Sequence, residues 1–123
     1  MPHTTESVLV IDGDAAVRRA VRFALEAEGY AVRTAATADE ALRKSRSAPR
    51  CLICDQDLPD GGGLVLLARL RRQGVHSAAV LMISNPPAMV RQQARALQVP
   101  VVEKPLLTDE LFGLVRSLMR VPA

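Results

Sequence analysis

The chain has 123 residues, about half of them apolar, and a formal net charge of +3 at pH 7. This length suits one domain whose core needs no disulfide or metal, and the apolar fraction excludes a disordered chain. Because no apolar stretch approaches the roughly 20 residues of a membrane span, and the 14 arginines are spread without interleaved aromatic residues, neither a membrane nor direct nucleic-acid binding is expected.

Five short apolar runs predict β-strands at 7–12, 30–35, 50–55, 78–84 and 99–103. Stretches with helical periodicity separate them and predict helices at 15–28, 37–47, 64–74, 86–98 and 108–120. Strict alternation of this kind is typical of a parallel sheet with helices on both faces and right-handed connections. We therefore predict one cytoplasmic α/β domain, 1–123, with its core at about 7–120.

Several residues mark where the predicted helices begin and end. Asp14 is a good N-cap for the first helix, and Gly29 is placed to end it in a left-handed turn. Thr37 and Glu40 form a T-x-x-E capping box at the start of the second helix. Arg33 in the second strand indicates that this strand lies near an edge of the sheet.

The stretch 51–63, CLICDQDLPDGGG, combines a short apolar strand with a tight, permissive loop. The strand ends in a carboxylate, Asp55, and a second carboxylate follows at Asp57. Cys51 and Cys54 are three residues apart in this strand and therefore point to opposite faces of the sheet. We expect two reduced core cysteines rather than a disulfide.

Polar residues also stand at the ends of other predicted strands. Asp12 ends the first strand, Ser84 ends the fourth, and Lys104 follows the fifth. In open parallel sheets, ligands bind just outside the carboxyl ends of the strands. If the strands are parallel and adjacent, Asp12, Asp55, Ser84 and Lys104 gather at one edge, which is the candidate functional site.

Taken together, these motifs resemble the receiver domain of two-component response regulators, over about 7–119. The family pattern is an acid after strand one, D-x-x-L-P-x-x-x-G-L after strand three, a small hydroxyl residue after strand four and Lys-Pro after strand five. The matching residues are Asp12; Asp55, Leu58, Pro59, Gly63 and Leu64; Ser84; and Lys104 with Pro105. The resemblance implies a (βα)5 doubly wound sheet of the flavodoxin-like, chemotaxis-regulator type, with strand order 2-1-3-4-5.

The resemblance also implies a function and a site. Asp55 is the expected phosphoacceptor, and a sensor histidine kinase or a phosphotransfer protein is the expected donor of the phosphoryl group. Lys104 and Ser84 are expected to contact the phosphoryl oxygens. Asp12, Asp55 and Asp57 are the expected ligands of Mg²⁺. Such a domain signals through contacts with a downstream protein target. Its chemistry is limited to self-phosphorylation from small phosphodonors and loss of the phosphoryl group.

Two departures from the family pattern affect this expectation. Gly13 stands where the family usually has a second acidic residue that binds Mg²⁺, and Asp14, as an N-cap, is expected to point at helix amides. We therefore expect weaker Mg²⁺ binding, with partial compensation by Asp57. Val101 replaces the strand-five aromatic of the family's switch, and Asn85 follows the hydroxyl residue where a small apolar residue is common.

These departures leave two other interpretations open. The chain could be a pseudo-receiver, the same fold used as an interaction module without phosphorylation. Asp55-Gln56-Asp57 also resembles the D-x-D motif of haloacid-dehalogenase-type phosphatases, although that motif normally opens the fold and has Thr or Val where this chain has Pro59.

The resemblance further implies a contact face and leaves the chain's context open. Family members often form homodimers through the face of helix four, strand five and helix five. The corresponding residues are Met89, Gln92, Gln93, Val101 and Arg116. The chain is expected to be a stand-alone receiver domain, or a domain excised from a larger regulator or hybrid kinase.

Overall fold

The structure, a computed structural model, describes residues 7–104 and 109–119. The sheet strands are β1 (Ser7–Ile11), β2 (Ala31–Ala35), β3 (Cys51–Asp55), β4 (Ala78–Ile83) and β5 (Val101–Glu103). The helices are α1 (Ala15–Ala27), α2 (Ala38–Lys44), α3 (Gly63–Arg72), α4 (Ala88–Ala96) and α5 (Asp109–Met119). A 3-10 turn, Ser45–Ser47, follows α2, and Asp57–Leu58 pairs with Gly61–Gly62 in a short hairpin before α3.

The five strands form one parallel sheet in the order β2-β1-β3-β4-β5, which confirms the predicted fold class and strand order. Ile11 of β1, Cys54 of β3, Leu81 of β4 and Val101 of β5 are aligned in register across these four neighbouring strands. Because these positions are in register, the residues that follow them lie together at the carboxyl edge. β2 is an edge strand, as its Arg33 predicted.

Helices cover both faces of the sheet, because the strands have apolar side chains on both faces. On one face, Ala41 of α2, Leu67 of α3 and Ala94 of α4 pack in one buried cluster. On the other face, Val21 of α1 and Leu111 of α5 belong to a second cluster. The arrangement is the doubly wound one that alternating strands and helices predict. Within the described residues, no helix is both long and apolar enough to cross a bilayer.

The two cysteines lie on opposite faces of β3, as predicted from their spacing. Both are free and buried, Cys51 in the cluster with α1 and α5 and Cys54 in the cluster with α2 to α4. Burial raises the pKa of the Cys51 thiol to about 12. Both thiols are therefore core side chains, and a catalytic role for either is not supported.

The predicted element boundaries differ from the observed ones where loop geometry intervenes. The second helix was expected to reach residue 47, but its last turn tightens into the 3-10 turn and ends at Ala48, which has a φ of 48°. Pro87 is the N-cap of α4 rather than part of its first turn. The predicted fifth strand loses its first two residues, since the amide of Val99 instead bonds to Ala94 O at the end of α4. The predicted cap of the last helix, Thr108, lies outside the described residues.

Candidate functional site

An open cleft of about 680 Å³ lies at the carboxyl edge of the sheet, where the sequence predicted a site. Its lining includes Asp12, Gly13, Asp55, Asp57, Pro59 and Lys104. Among the described residues, only three polar side chains are buried, and two of them, Asp12 and Asp55, are in this cleft. Buried carboxylates are rare unless they are paired, so their partners define the site.

Asp12 is held by the turn between β1 and α1. Its side chain is 1% exposed, and its Oδ1 accepts a hydrogen bond of 2.8 Å from the amide of Asp14. Arg18 donates to the carbonyl of Asp12 at 2.7 Å, which fixes the turn from the side of α1. The carboxylate of Asp14 caps α1 by accepting from the amides of Ala16 (2.8 Å) and Val17 (3.3 Å). The N-cap prediction for Asp14 is confirmed.

Asp55 ends β3 and is joined to Asp12 through Lys104. Lys104 Nζ lies 3.1 Å from Asp12 Oδ2 and 3.2 Å from Asp55 Oδ2. The other oxygen of Asp55, Oδ1, accepts a hydrogen bond of 3.2 Å from the amide of Asp57. Lys104 reaches this position because its amide extends the sheet, bonding to Ile83 O at 3.1 Å. One ammonium group therefore forms ion pairs with two buried carboxylates.

Charge and burial shift the pKa values of Asp55 and Lys104. Burial, and next the negative charge of Asp12, raise the pKa of Asp55, although the Asp57 amide and Lys104 offset part of the rise. Burial acts to lower the pKa of Lys104, but the hydrogen bond to Asp12 and the charges of both carboxylates outweigh it and raise that pKa overall. Lys104 is therefore protonated at neutral pH. Because one ammonium group does not fully offset the two carboxylates, a further positive charge beside them would be favourable.

The loop that carries Asp57 is anchored by Gln56, whose structural role the sequence did not predict. The side-chain oxygen of Gln56 accepts from the amide of Leu64 at 2.9 Å, and its carbonyl accepts from the amide of Gly63, also at 2.9 Å. Gly62, the N-cap of α3, has no side chain to supply this capping bond. Gln56 thus caps α3 from across the loop, a contact for which the sequence carries no local signal.

The predicted site residues do not all occupy the cleft in the same way. Asp12, Asp55 and Lys104 are in direct contact, whereas the side chain of Asp57 is exposed at the rim. Ser84 directly follows β4 at the same edge but is exposed and does not line the cleft. Asn85, next to it, has a φ of 49°, a left-handed conformation that asparagine adopts more readily than most residues.

Oxygen donors for a metal ion are present, but among the described residues they do not form a complete set of side-chain ligands. Within 7–104 and 109–119, no three acidic, histidine or cysteine side chains converge as ligands. The carboxylates of Asp12 and Asp55 and the loop of Asp57 supply the donor chemistry that a hard cation requires. At Gly13 no carboxylate is available, and a Cβ added there would lie 3.2 Å from Cδ of Pro59.

Comparisons with known proteins agree with this architecture. The profile of the family described as "Response regulator receiver domain" matches residues 8–116. The transcriptional regulatory protein TrcR of Mycobacterium tuberculosis is 30% identical over 115 residues, covering 92% of this chain and 45% of that protein. KdpE of Mycobacterium tuberculosis is 34% identical over 114 residues, covering 92% of this chain and 50% of that protein.

Solved structures show the same fold. The chemotaxis response regulator CheY4 of Vibrio cholerae superposes with a TM-score of 0.84 at 24% identity, covering 94% of this chain and 99% of that one. A CheY-like receiver domain protein of Methanospirillum hungatei gives a TM-score of 0.86 at 23% identity, with 93% of each chain covered. At these identities, the likeness establishes the fold alone.

The chain spans about half the length of the curated relatives that it matches. The matched region includes both buried carboxylates and Lys104. The match supports the receiver interpretation over the phosphatase one. The chain belongs to the family of response regulator receiver domains of two-component systems.

Proposed function

We propose that Asp55 accepts a phosphoryl group from the phosphohistidine of a sensor histidine kinase or phosphotransfer protein. A carboxylate oxygen of Asp55 forms the new O–P bond while the P–N bond breaks, and the imidazole nitrogen keeps the electron pair and takes a proton from solvent. This makes the chain a phosphorylated signalling domain rather than an enzyme. Transfer from a small phosphodonor such as acetyl phosphate is the same reaction with a different leaving group.

The observation that supports this function best is the position of Lys104. Its Nζ lies 3.2 Å from Asp55 Oδ2, so a positive charge already stands beside the proposed nucleophile. Phosphoryl transfer depends on neutralising the charge of the phosphoryl oxygens. A compact ammonium group, which also contacts Asp12 at 3.1 Å, is suited to contacting a negatively charged phosphoryl oxygen during the transfer. Ser84 is the proposed hydroxyl donor to a phosphoryl oxygen.

Mg²⁺ is the proposed cofactor of this transfer, and the donor set fits it in part. Asp12 and Asp55 would hold the ion with carboxylate oxygens, and Asp57 would add an oxygen from the loop. The ion would supply positive charge to the phosphoryl oxygens. Since Gly13 contributes no ligand, we expect the affinity to be lower than in receivers with two adjacent acids.

The proposed output is a protein contact that depends on phosphorylation. The face of α4, β5 and α5 is the proposed contact surface for a downstream target or a second copy of the chain. Met89 on this face is 66% exposed, and Arg91 of α4 is tied to Glu103 of β5 by an ion pair of 2.5 Å. Val101 has no aromatic ring to bury, so any switch on this face uses other residues. A cytoplasmic location stays a prediction.

A pseudo-receiver function is the second candidate, and the surroundings of Gly13 favour it. A Cβ added at residue 13 would lie 3.2 Å from Cδ of Pro59, a tight contact that a small shift of the proline ring would relieve. Because residue 13 is glycine, the chain offers the proposed ion one carboxylate fewer than the family pattern does. In this case the domain would bind its partner without being phosphorylated.

Intact-mass spectrometry after incubation with acetyl phosphate separates the two functions. The native chain is expected to gain one phosphoryl group when Mg²⁺ is present and none when it is chelated. Asp55→Asn is expected to gain none under either condition. Gly13→Asp, which restores the acid, is expected to lower the Mg²⁺ concentration needed for the adduct.

The matched control is Asp60→Asn, which removes a carboxylate from the same loop. Asp60 does not line the cleft, and its oxygens instead accept from the amides of Ala38 and Asp39. This variant should be phosphorylated like the native chain. An adduct that persists in Asp55→Asn would refute the phosphoacceptor assignment, and no adduct in either the native chain or Gly13→Asp would favour the pseudo-receiver.

A further inference from the structure

A second depression lies between α2 and α3, at the end of the sheet opposite the cleft. Its volume is about 480 Å³. It lies beside the loops that lead into the amino ends of β3 and β4, whereas the cleft is at their carboxyl ends. We call it the arginine pocket and define it by Asp39, Leu42, Arg43, Arg46, Arg69 and Val75.

Three arginine residues from separate elements line the arginine pocket. Arg43 is in the last turn of α2, Arg46 is in the 3-10 turn that follows it, and Arg69 is in α3. Of the described residues in the lining, Asp39 is the only one with a carboxylate, and it pairs with Arg43. Across the part of the chain that the structure describes, neither Arg46 nor Arg69 has an ion-pair partner. Both side chains are exposed, so the pocket has two positive charges without an ion-pair partner among the described residues.

The arginine pocket also has an apolar side. Leu42 and Val75 are half-buried and pack against the core cluster on this face of the sheet. Ligand sites for small molecules are typically concave, about 300–1,000 Å³ in volume, and combine apolar walls with a few fixed polar groups. The volume and the mixed lining fit a small molecule better than a bare surface patch does.

We propose that the arginine pocket binds a nucleotide, with its phosphate groups on Arg46 and Arg69 and its base or ribose against Leu42 and Val75. Guanidinium groups match phosphate oxygens in bidentate geometry, which makes arginine the favoured side chain for such anions. Basic residues near helix ends also offset the helix dipole without any ligand. Because an effect on the helix dipole requires no ligand, a binding measurement distinguishes it from nucleotide binding.

The proposal is independent of phosphorylation at Asp55. No residue of the arginine pocket lines the cleft, and no residue of the cleft lines the pocket. Binding should therefore survive in Asp55→Asn, and phosphorylation should survive when the pocket is altered. Failure of one function would leave the other standing.

The test is a fluorescence titration of the chain with MANT-ADP at low ionic strength, in EDTA so that no Mg²⁺-nucleotide enters the cleft. The native chain is expected to bind MANT-ADP saturably, with a Kd below about 1 mM. The double variant Arg46→Gln with Arg69→Gln should weaken binding about tenfold or more, because hydrogen bonds between charged groups are lost. Inorganic pyrophosphate should displace the MANT-ADP.

A second double variant, Arg72→Gln with Arg95→Gln, is the matched control. Both arginines are exposed, lie outside the arginine pocket and carry the same charge, so this variant should bind like the native chain. Asp39→Asn removes the one carboxylate of the pocket and should tighten binding, a gain that a structural role would not produce. Equal loss in both double variants, no displacement by pyrophosphate or no saturable binding would overturn the proposal.

Discussion

At Gly63, the first turn of α3 lies directly against the backbone of Asp55. A Cβ added there would fall within 3.0 Å of the Asp55 carbonyl carbon and 3.1 Å of Cys54 Sγ, and still closer to the Asp55 carbonyl oxygen. Backbone atoms at the end of a central strand cannot move aside without shifting the proposed nucleophile. The glycine of the D-x-x-L-P-x-x-x-G-L pattern is therefore required for close packing and not for an unusual φ.

We expect Gly63→Ala to destabilise the fold by about 2 kcal/mol, because the added methyl group overpacks the strand end. Gly113→Ala is the matched control: a Cβ there meets nothing within 4 Å, and Gly113 is inside α5. It should stabilise the fold by about 0.5–1 kcal/mol through helix propensity. Urea denaturation of both variants checks the contrast, and equal effects of the two substitutions would contradict the packing argument.

At the scale of elements, the start of α2 is held by two carboxylates and one hydroxyl. Thr37 Oγ1 accepts from the amide of Glu40 at 3.0 Å, as the capping box predicts. Glu40 reaches one residue further back than expected and accepts from the amide of Ala36 at 2.8 Å. The carboxylate of Asp60, from the loop before α3, accepts from the amides of Ala38 at 2.7 Å and Asp39 at 3.0 Å. This helix end is thereby tied to the loop of the cleft.

The pH dependence of Glu40 follows from these contacts. The hydrogen bond from Ala36, and next the one from Lys44, lower the pKa of Glu40 below its ordinary value. A carboxyl group with a lowered pKa stabilises the fold above its unfolded-state pKa and loses that stabilisation as the pH falls through the folded value. We expect Glu40→Gln to lower the free energy of unfolding by about 0.5 kcal/mol at neutral pH, since Glu40 is partly exposed and solvent screens the charge.

The difference between the native chain and Glu40→Gln should shrink as the pH drops below 4.5, the ordinary pKa of the group. Denaturant titrations over this pH range measure it. Glu26→Gln is the matched control, because Glu26 pairs with Arg22 on an exposed helix face and caps no backbone amide. A difference that grows in acid would show that the sign of the argument is wrong.

At the scale of the whole molecule, local patterns predicted much of the fold and a part of the site. Short apolar runs and helical spacing located the five strands of the parallel sheet and the five α-helices, and strand ends indicated Asp12, Asp55 and Lys104, because these features depend on neighbours in sequence. The strand order came from the resemblance to receivers. The contacts of Gln56 with Leu64 and of Asp60 with α2 were not predictable, since they depend on how the loop folds back. Likewise, no local pattern predicted that Ser84 is exposed or that Asn85 after it is left-handed.

The charges around Asp55 in the cleft are expected to affect the stability of the whole molecule. Burial, and next the charge of Asp12, raise the pKa of Asp55, so the ionised carboxylate is disfavoured in the folded state. A raised carboxyl pKa means that stability is lost as the pH rises through the folded value. In EDTA at neutral pH, we expect Asp55→Asn to raise the free energy of unfolding by about 1 kcal/mol.

Addition of Mg²⁺ should reverse this order. An ion that binds only the folded state stabilises it by mass action, and Asp55→Asn removes one of its proposed ligands. The unfolding midpoint of the native chain should therefore rise with Mg²⁺ concentration more steeply than that of Asp55→Asn, while Asp60→Asn should respond like the native chain. Equal responses of the native chain and Asp55→Asn would place the ion elsewhere, and because the readout is unfolding, this result would stand whether or not the chain is phosphorylated.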